Sequence, residues 1–133
     1  MSGLEFMEPI TKAQARQKNP LVLAYIGDTV YDLFMRRQAV VSSESHVYEL
    51  NKSVCAKVNA AAQSKAVLQL ELTEEENDIF RRGRNAKCGS VPKNMSVTDY
   101  HNATGLEAVI GYLSLTGEYD RLMELFERIM NYE

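Results

Sequence analysis

The stretch Leu23–Asp32, LAYIGDTVYD, decides the fold. It belongs to a run opened by Asn19-Pro20, where Asn caps a helix and Pro suits the first turn. Helical periodicity continues through Leu21–Arg37. At about 100° per residue, Leu23, Ile26, Val30 and Phe34 form one apolar face, while Leu21, Ala24, Tyr25, Asp28, Asp32 and Met35 form a second. A helix that is apolar on more than one side is expected to be central and buried. Gly27 and Asp28 stand at its middle. An interior glycine costs about 1 kcal/mol relative to Ala, and a carboxylate that looks buried is expensive unless paired.

A second helix shows the same anomaly. Glu107 sits within ATGLEAVIGYLSL, between Gly105 and Gly111. For either helix alone, the glycines could serve close packing and the acid could be paired or solvent-facing. Taken together, Gly27 and Gly111 would let the two helices cross closely, and Asp28 and Glu107 would converge. Neither acid has a basic residue within one helical turn. A hard divalent cation would neutralise the pair. Mg²⁺ suits the task, because it takes one or two carboxylates, keeps several waters and engages substrate phosphate.

The rest of the chain supports an all-α fold. Ser42, Ser43 or Ser45 can cap a helical stretch running through HVYELNKSVCAKVNAAAQSKAVLQLEL, with a break near Lys57–Asn59. Thr73 and Glu76 match a capping box that starts a helix towards Arg84. KCGSVPKN, Lys87–Asn94, is a loop. Ser96 with Asp99 opens the next helix, Gly117 closes it, and Tyr119–Tyr132 is amphipathic with Leu122, Leu125, Phe126 and Ile129 inside. No segment alternates long enough to be a strand, and no linker divides residues 1–133, which are expected to form a single domain.

Composition narrows the class. Apolar residues make up 45% and charged residues 25% of the 133 residues, as in ordinary globular proteins. No apolar run approaches a membrane span, and the start, MSGLEFMEPITKAQ, lacks the pattern of a secretory leader. Cys55 and Cys88, with His46 and His101, show no zinc spacing and read as reduced thiols and ordinary histidines of a cytoplasmic protein. The net charge of −3 argues mildly against nucleic acid. Its distribution does not, because the bases gather in Arg81, Arg82, Arg84, Lys87 and Lys93. Those bases suit either a solvated helix end or phosphate contact. Met123 and Met130 read as core or interface packing.

LAYIGDTVYD resembles the signature helix of the ribonuclease III endonuclease domain, with its Leu-Glu-Phe-Leu-Gly-Asp core. TGLEAVIGYLSL resembles that family's second acidic motif, about 80 residues further on in this chain. The intervening RRGRNAKCGSVPKN, with no double-stranded-RNA-binding region following, is similar to the Mini-ribonuclease III subfamily. The resemblance implies a ribonuclease III endonuclease fold in a helical homodimer, with Asp28 and Glu107 as catalytic, metal-binding residues. Ala24 and Leu21 stand where larger members carry glutamates, and Thr104 where they carry an aspartate. The carboxylate cluster is thus reduced to a pair. Tyr25 replaces a Phe that packs across the dimer interface, with Leu21 beside it.

The same resemblance implies a Mg²⁺-dependent hydrolase, with Mn²⁺ able to substitute, that cuts double-stranded RNA in a staggered fashion. Its products carry 5′-phosphate and 3′-hydroxyl ends. It also implies processing of large-subunit (23S) ribosomal RNA precursor, and so ribosome biogenesis, with a large-subunit ribosomal protein as a helper. With the resemblance, Arg84, Asn85, Lys87, Lys93 and Asn94 are expected to hold phosphates or ribose hydroxyls, and Lys52, Lys57, Asn59 and Gln63 to line the same channel. A-form RNA is read through phosphates and 2′-hydroxyls, which amides and lysines suit. The rival reading is a catalytically silent relative that binds RNA or ribosomes; it leaves the two acids without a purpose.

Overall fold

The structure, a computed structural model, describes residues 8–86 and 89–131. Among these the chain is helical, with α1 (Lys12–Gln17), α2 (Pro20–Ser42), α3 (Val47–Val58), α4 (Ala60–Leu68), α5 (Glu74–Asn85), α6 (Val97–Leu115) and α7 (Tyr119–Asn131), and without strands. No described helix is long and apolar enough to cross a membrane. The all-α expectation holds.

Local chemistry sets most boundaries. Asn19 accepts a hydrogen bond from Leu21 N at the start of α2, with Pro20 in the first turn. Asn59 separates α3 from α4: its Oδ1 accepts from Ala62 N while its Nδ2 donates to Cys55 O and Ala56 O. Thr73 and Glu76 close a reciprocal capping box on α5. Gly117 follows α6 at φ +74°, a left-handed position suited to glycine. Four boundaries differ from the sequence reading. α4 ends at Leu68, short of the Leu72 to which the helical stretch was read. α3 begins at Val47 with His46 in the N-cap position and no side-chain cap, rather than capped by one of the three serines. α2 runs five residues past Arg37 to Ser42. α1, capped by Thr11 and Gln14, was not anticipated.

α6 is the hub. Residues on all its sides are buried, among them Ala103, Leu106, Val109, Ile110 and Leu113, and α2, α4 and α5 lie against it. Glycines set two of these crossings. A Cβ on Gly27 of α2 would overlap the carbonyl oxygen of Glu107, and one on Gly111 of α6 would overlap the carbonyl oxygen of Leu23. On another side, a Cβ on Gly83 of α5 would come 2.9 Å from the Ala108 Cβ, and one on Gly105 would come 2.7 Å from the Phe80 ring. Such near-contact of backbones leaves no room for even a methyl group.

α7 closes one end. Leu122, Leu125, Phe126 and Ile129 are buried, as expected, and Phe126 stacks on Phe34 with ring centroids 3.9 Å apart. Met123 is exposed. Arg121 ties α7 to α5: its Nε donates to Glu76 Oε2 and its Nη2 to Glu76 Oε1, each at 2.8 Å. Buried carboxyls are rarely tolerated without such a partner.

Candidate active site

The close crossing of α2 and α6 explains Gly27-Asp28. Because Gly27 rests on the Glu107 backbone itself, the next residue of α2 is delivered to the Glu107 side chain. The Asp28 and Glu107 carboxyls come close enough to act on one another. Asp28 lies at the surface, which corrects its buried appearance in the sequence, while Glu107 sits half-buried beneath it.

Among the described residues no cation acts on the Glu107 carboxyl. Burial first, then the hydrogen bond and like charge of Asp28, pushes the Glu107 carboxyl up to about 9; the Gln63 amide pulls weakly the other way. Tyr31, fully buried on α2, has its phenol pushed up by burial and then by the Glu107 charge, which places it in the same electrostatic neighbourhood. Glu107 is therefore held largely protonated, and a nearby dication would release that proton. Among the described residues no group of three or more His, Cys, Asp or Glu side chains could hold a metal ion. Two adjoining carboxyls, one of them open to solvent, still fit an ion such as Mg²⁺ that relies on water and substrate for its remaining ligands.

The RNA-facing residues named from the sequence are dispersed. Arg84 and Asn85 adjoin at the end of α5; Arg84 Nε donates to Asn85 Oδ1 at 3.5 Å, and its guanidinium lies 5.6 Å from the Phe80 ring centre. The contact of Gly83 with Thr104, Gly105 and Ala108 sets this basic end beside the turn of α6 that carries Glu107. Lys93 and Asn94 are exposed in the following loop, Asn94 with φ +66°. Lys87 falls outside the described residues, as does Cys88. Lys52 and Lys57 are exposed on α3.

Two residues are not the surface groups expected of them. Asn59 spends both ends of its amide on the α3–α4 break. Gln63 is 2% exposed, packed inside rather than lining a channel. Sequence reasoning also missed Tyr31, and it missed Lys65, which with Lys57 flanks an apolar hollow of about 210 Å³. Tyr31 falls four residues after Gly27, on the stripe that faces α6, and that spacing could have found it.

The second apolar face of α2 divides between core and surface. Ala24 and Met35 belong to the core of this chain. Leu21 is half-buried, and Tyr25 points outward at 81% exposure. Val22, Leu33 and Val40 are exposed as well and continue the line of Tyr25 along α2 at helical spacing.

Comparison with known proteins gives consistent results. The family described as the Ribonuclease III domain matches residues 21–118. A Mini-ribonuclease 3 from Thermoanaerobacter sp. (strain X514) is 44% identical over 129 residues, covering 96% of this chain and 91% of that protein. One from Clostridium tetani is 44% identical over 127 residues, covering 93% of this chain and 84% of its own. The crystal structure of a Fusobacterium nucleatum protein superposes with a TM-score of 0.79 at 32% identity, covering 86% of this chain and 93% of that one.

Proposed function

The chain belongs to the ribonuclease III family as an endoribonuclease, and on that premise we propose that it cuts double-stranded RNA at the Asp28–Glu107 pair. The observation that carries this reading is the glycine-enforced crossing of α2 and α6, which brings two acids together with no cation acting on Glu107 among the described residues. A pair so placed destabilises the empty protein, so it needs a purpose beyond folding.

Asp28 and Glu107 would hold Mg²⁺, with Mn²⁺ as substitute. When bound, the ion supplies a lowered pKa for a water and charge stabilisation for the scissile phosphate. Asp28, at the surface, is open to solvent and RNA. Glu107 is fixed from below by α6, whose backbone cannot shift without driving Gly27 and Gly111 into their neighbours. Arg84, Asn85, Lys93 and Asn94, with Lys52, Lys57 and Lys87, would hold phosphates across the minor groove.

The exposed α2 line of Val22, Tyr25, Leu33 and Val40, with Leu21 at its edge, supports pairing with a second copy about a two-fold axis. The pair would present two sites to opposite RNA strands, leaving 5′-phosphate and 3′-hydroxyl ends. The biological substrate we propose is large-subunit (23S) ribosomal RNA precursor in the cytoplasm, presented with a ribosomal protein.

The test is incubation of the purified chain with long double-stranded RNA, with and without Mg²⁺, beside Asp28→Asn and Glu107→Gln. Cleavage is expected only in wild type with the ion. Cleavage by either variant overturns the assignment.

A further inference from the structure

Gln63 lies on α4, where it faces α6. It is 2% exposed, and its Nε2 is the one buried side-chain polar atom among the described residues that lacks a hydrogen-bond partner. The next residue shows how tightly this face is fixed: Ser64 Oγ accepts from the buried Asn102 Nδ2 of α6 at 3.1 Å. A buried donor left unsatisfied costs about 1–3 kcal/mol, and an apolar side chain of the same size would avoid that cost. Its neighbour on α6 is the Glu107 carboxyl, on which the Gln63 amide acts as a donor from within reach but short of full hydrogen-bond geometry.

In the cation-free chain the Glu107 carboxyl is engaged by Asp28. A carboxylate that ligates a cation has acceptor capacity left over, and metal-ligating side chains are commonly oriented by a neighbouring group through that capacity. We propose that Gln63 is a positioning residue, whose Nε2–H donates to the Glu107 carboxylate when a divalent cation occupies the Asp28–Glu107 pair and fixes the orientation in which Glu107 holds the ion. Gln63 touches neither ion nor RNA; it acts through Glu107. The inference rests on the cation-binding reading of that pair.

The experiment uses Mn²⁺ alone and the full chain without RNA. Calorimetric titration compares wild type, Gln63→Met, Ser64→Ala and Asp28→Asn, and thermal unfolding follows each without cation. Gln63→Met is expected to weaken Mn²⁺ binding by about 10- to 100-fold while keeping or raising cation-free stability, since the unsatisfied donor is gone. Ser64→Ala is expected to lose stability but to bind Mn²⁺ within about twofold of wild type, having broken only a structural bond. In wild-type protein the Gln63 side-chain amide resonance should shift downfield and exchange more slowly as Mg²⁺ is added. Mn²⁺ affinity in Gln63→Met equal to wild type, loss of affinity together with cation-free stability, or an unmoved amide resonance overturns the assignment. Should Asp28→Asn bind Mn²⁺ like wild type, the cation site itself is wrong and the role of Gln63 falls with it; abolished binding in Asp28→Asn beside an indifferent Gln63→Met overturns the role of Gln63 alone.

Discussion

Glu75 and Glu76 on α5 form one pair of acids beside the central helix, and Asp28 and Glu107 form another. The chain surrounds the first pair with partners. Glu75 accepts from the Tyr112 hydroxyl and from Arg16, and Lys12 lies 3.6 Å away. Glu76 is held by Nε and Nη2 of Arg121 and by the Thr73 backbone N–H. Tyr112 and then Arg16 hold the Glu75 carboxyl below the usual range against the opposing effect of burial. Burial alone would raise Glu76, but Arg121 and Thr73 outweigh it and lower the group. The second pair receives the opposite treatment: a glycine crossing presses its carboxyls together, and burial and like charge raise Glu107. Carboxyls with local cations hold helices together. Carboxyls without them suit, on the proposed reading, an ion from outside.

The comparison can be broken most sharply at the uncompensated pair. Loss of a cation ligand removes several kcal/mol of charge stabilisation, so Asp28→Asn or Glu107→Gln should slow cleavage by about a thousandfold or more. Neither should unfold the chain. The corresponding change at the compensated pair should do the reverse. Arg121→Leu leaves Glu76 buried without its cation, the two side chains being 19% and 5% exposed in the pair. A loss of about 3–5 kcal/mol in denaturant unfolding is expected, with cleavage by the remaining folded protein preserved. An Arg121→Leu variant as stable as wild type would show that the two pairs are not handled differently after all.

A smaller effect separates the pairs by pH. Glu75 and Glu76 have folded values below their ordinary 4.5. Their contribution is present above that pH and is lost as pH falls through the folded values. Glu107 keeps its proton in the cation-free fold up to about 9, whereas the unfolded chain releases it near 4.5. The native state then binds more protons across that window, and stability drops as pH rises through it. Glu107→Gln should flatten that decline and raise cation-free stability by about 1–2 kcal/mol at pH 8. Thermal unfolding from acid to mild alkali checks both limbs; an unchanged alkaline limb in the variant would remove Glu107 as its source.

The difference between the pairs also marks where the sequence was legible. The Thr73–Glu76 capping box, the Asn59 break and Gly117 are local events, written within three or four residues. The Gly27–Gly111 crossing could be read because each glycine interrupts an apolar helix beside an acid. The Glu76–Arg121 pair spans 45 residues, and nothing local separates Arg121 from any surface arginine. Asp28 looked buried because its neighbours are apolar, yet Tyr25 and Leu33 point outward with it. Gln63 looked like a surface amide because Lys65 and Gln69 follow it, and only the packing of α4 on α6 reveals its burial. The catalytic use proposed for Asp28 and Glu107 came from the family resemblance added to that local reading.

The smallest expected effects lie at the basic residues, and they ask whether surface charge near the uncompensated pair serves RNA. The end of α5 sits beside the turn of α6 that carries Glu107, and on the proposed reading Arg84, with Lys93 of the following loop, would meet phosphates when RNA reaches that turn. Phosphate contacts position a nucleic acid without reading its sequence. Lys93→Ala and Arg84→Ala should therefore weaken binding of different duplexes alike, by about 1 kcal/mol each. Removing one phosphate-binding cation should also flatten the salt dependence by about 0.7–0.9 of a counterion, and in a paired chain the change would double. Cleavage at saturating RNA should survive, because Asp28 and Glu107 are untouched. Glu74→Gln, exposed in the first turn of α5 on the side of the compensated pair, should alter neither affinity nor slope. Binding titrations at several salt concentrations decide the matter. An unchanged slope in both basic variants would mean that the α5 end and its loop serve only the fold, and that phosphate is held from another face.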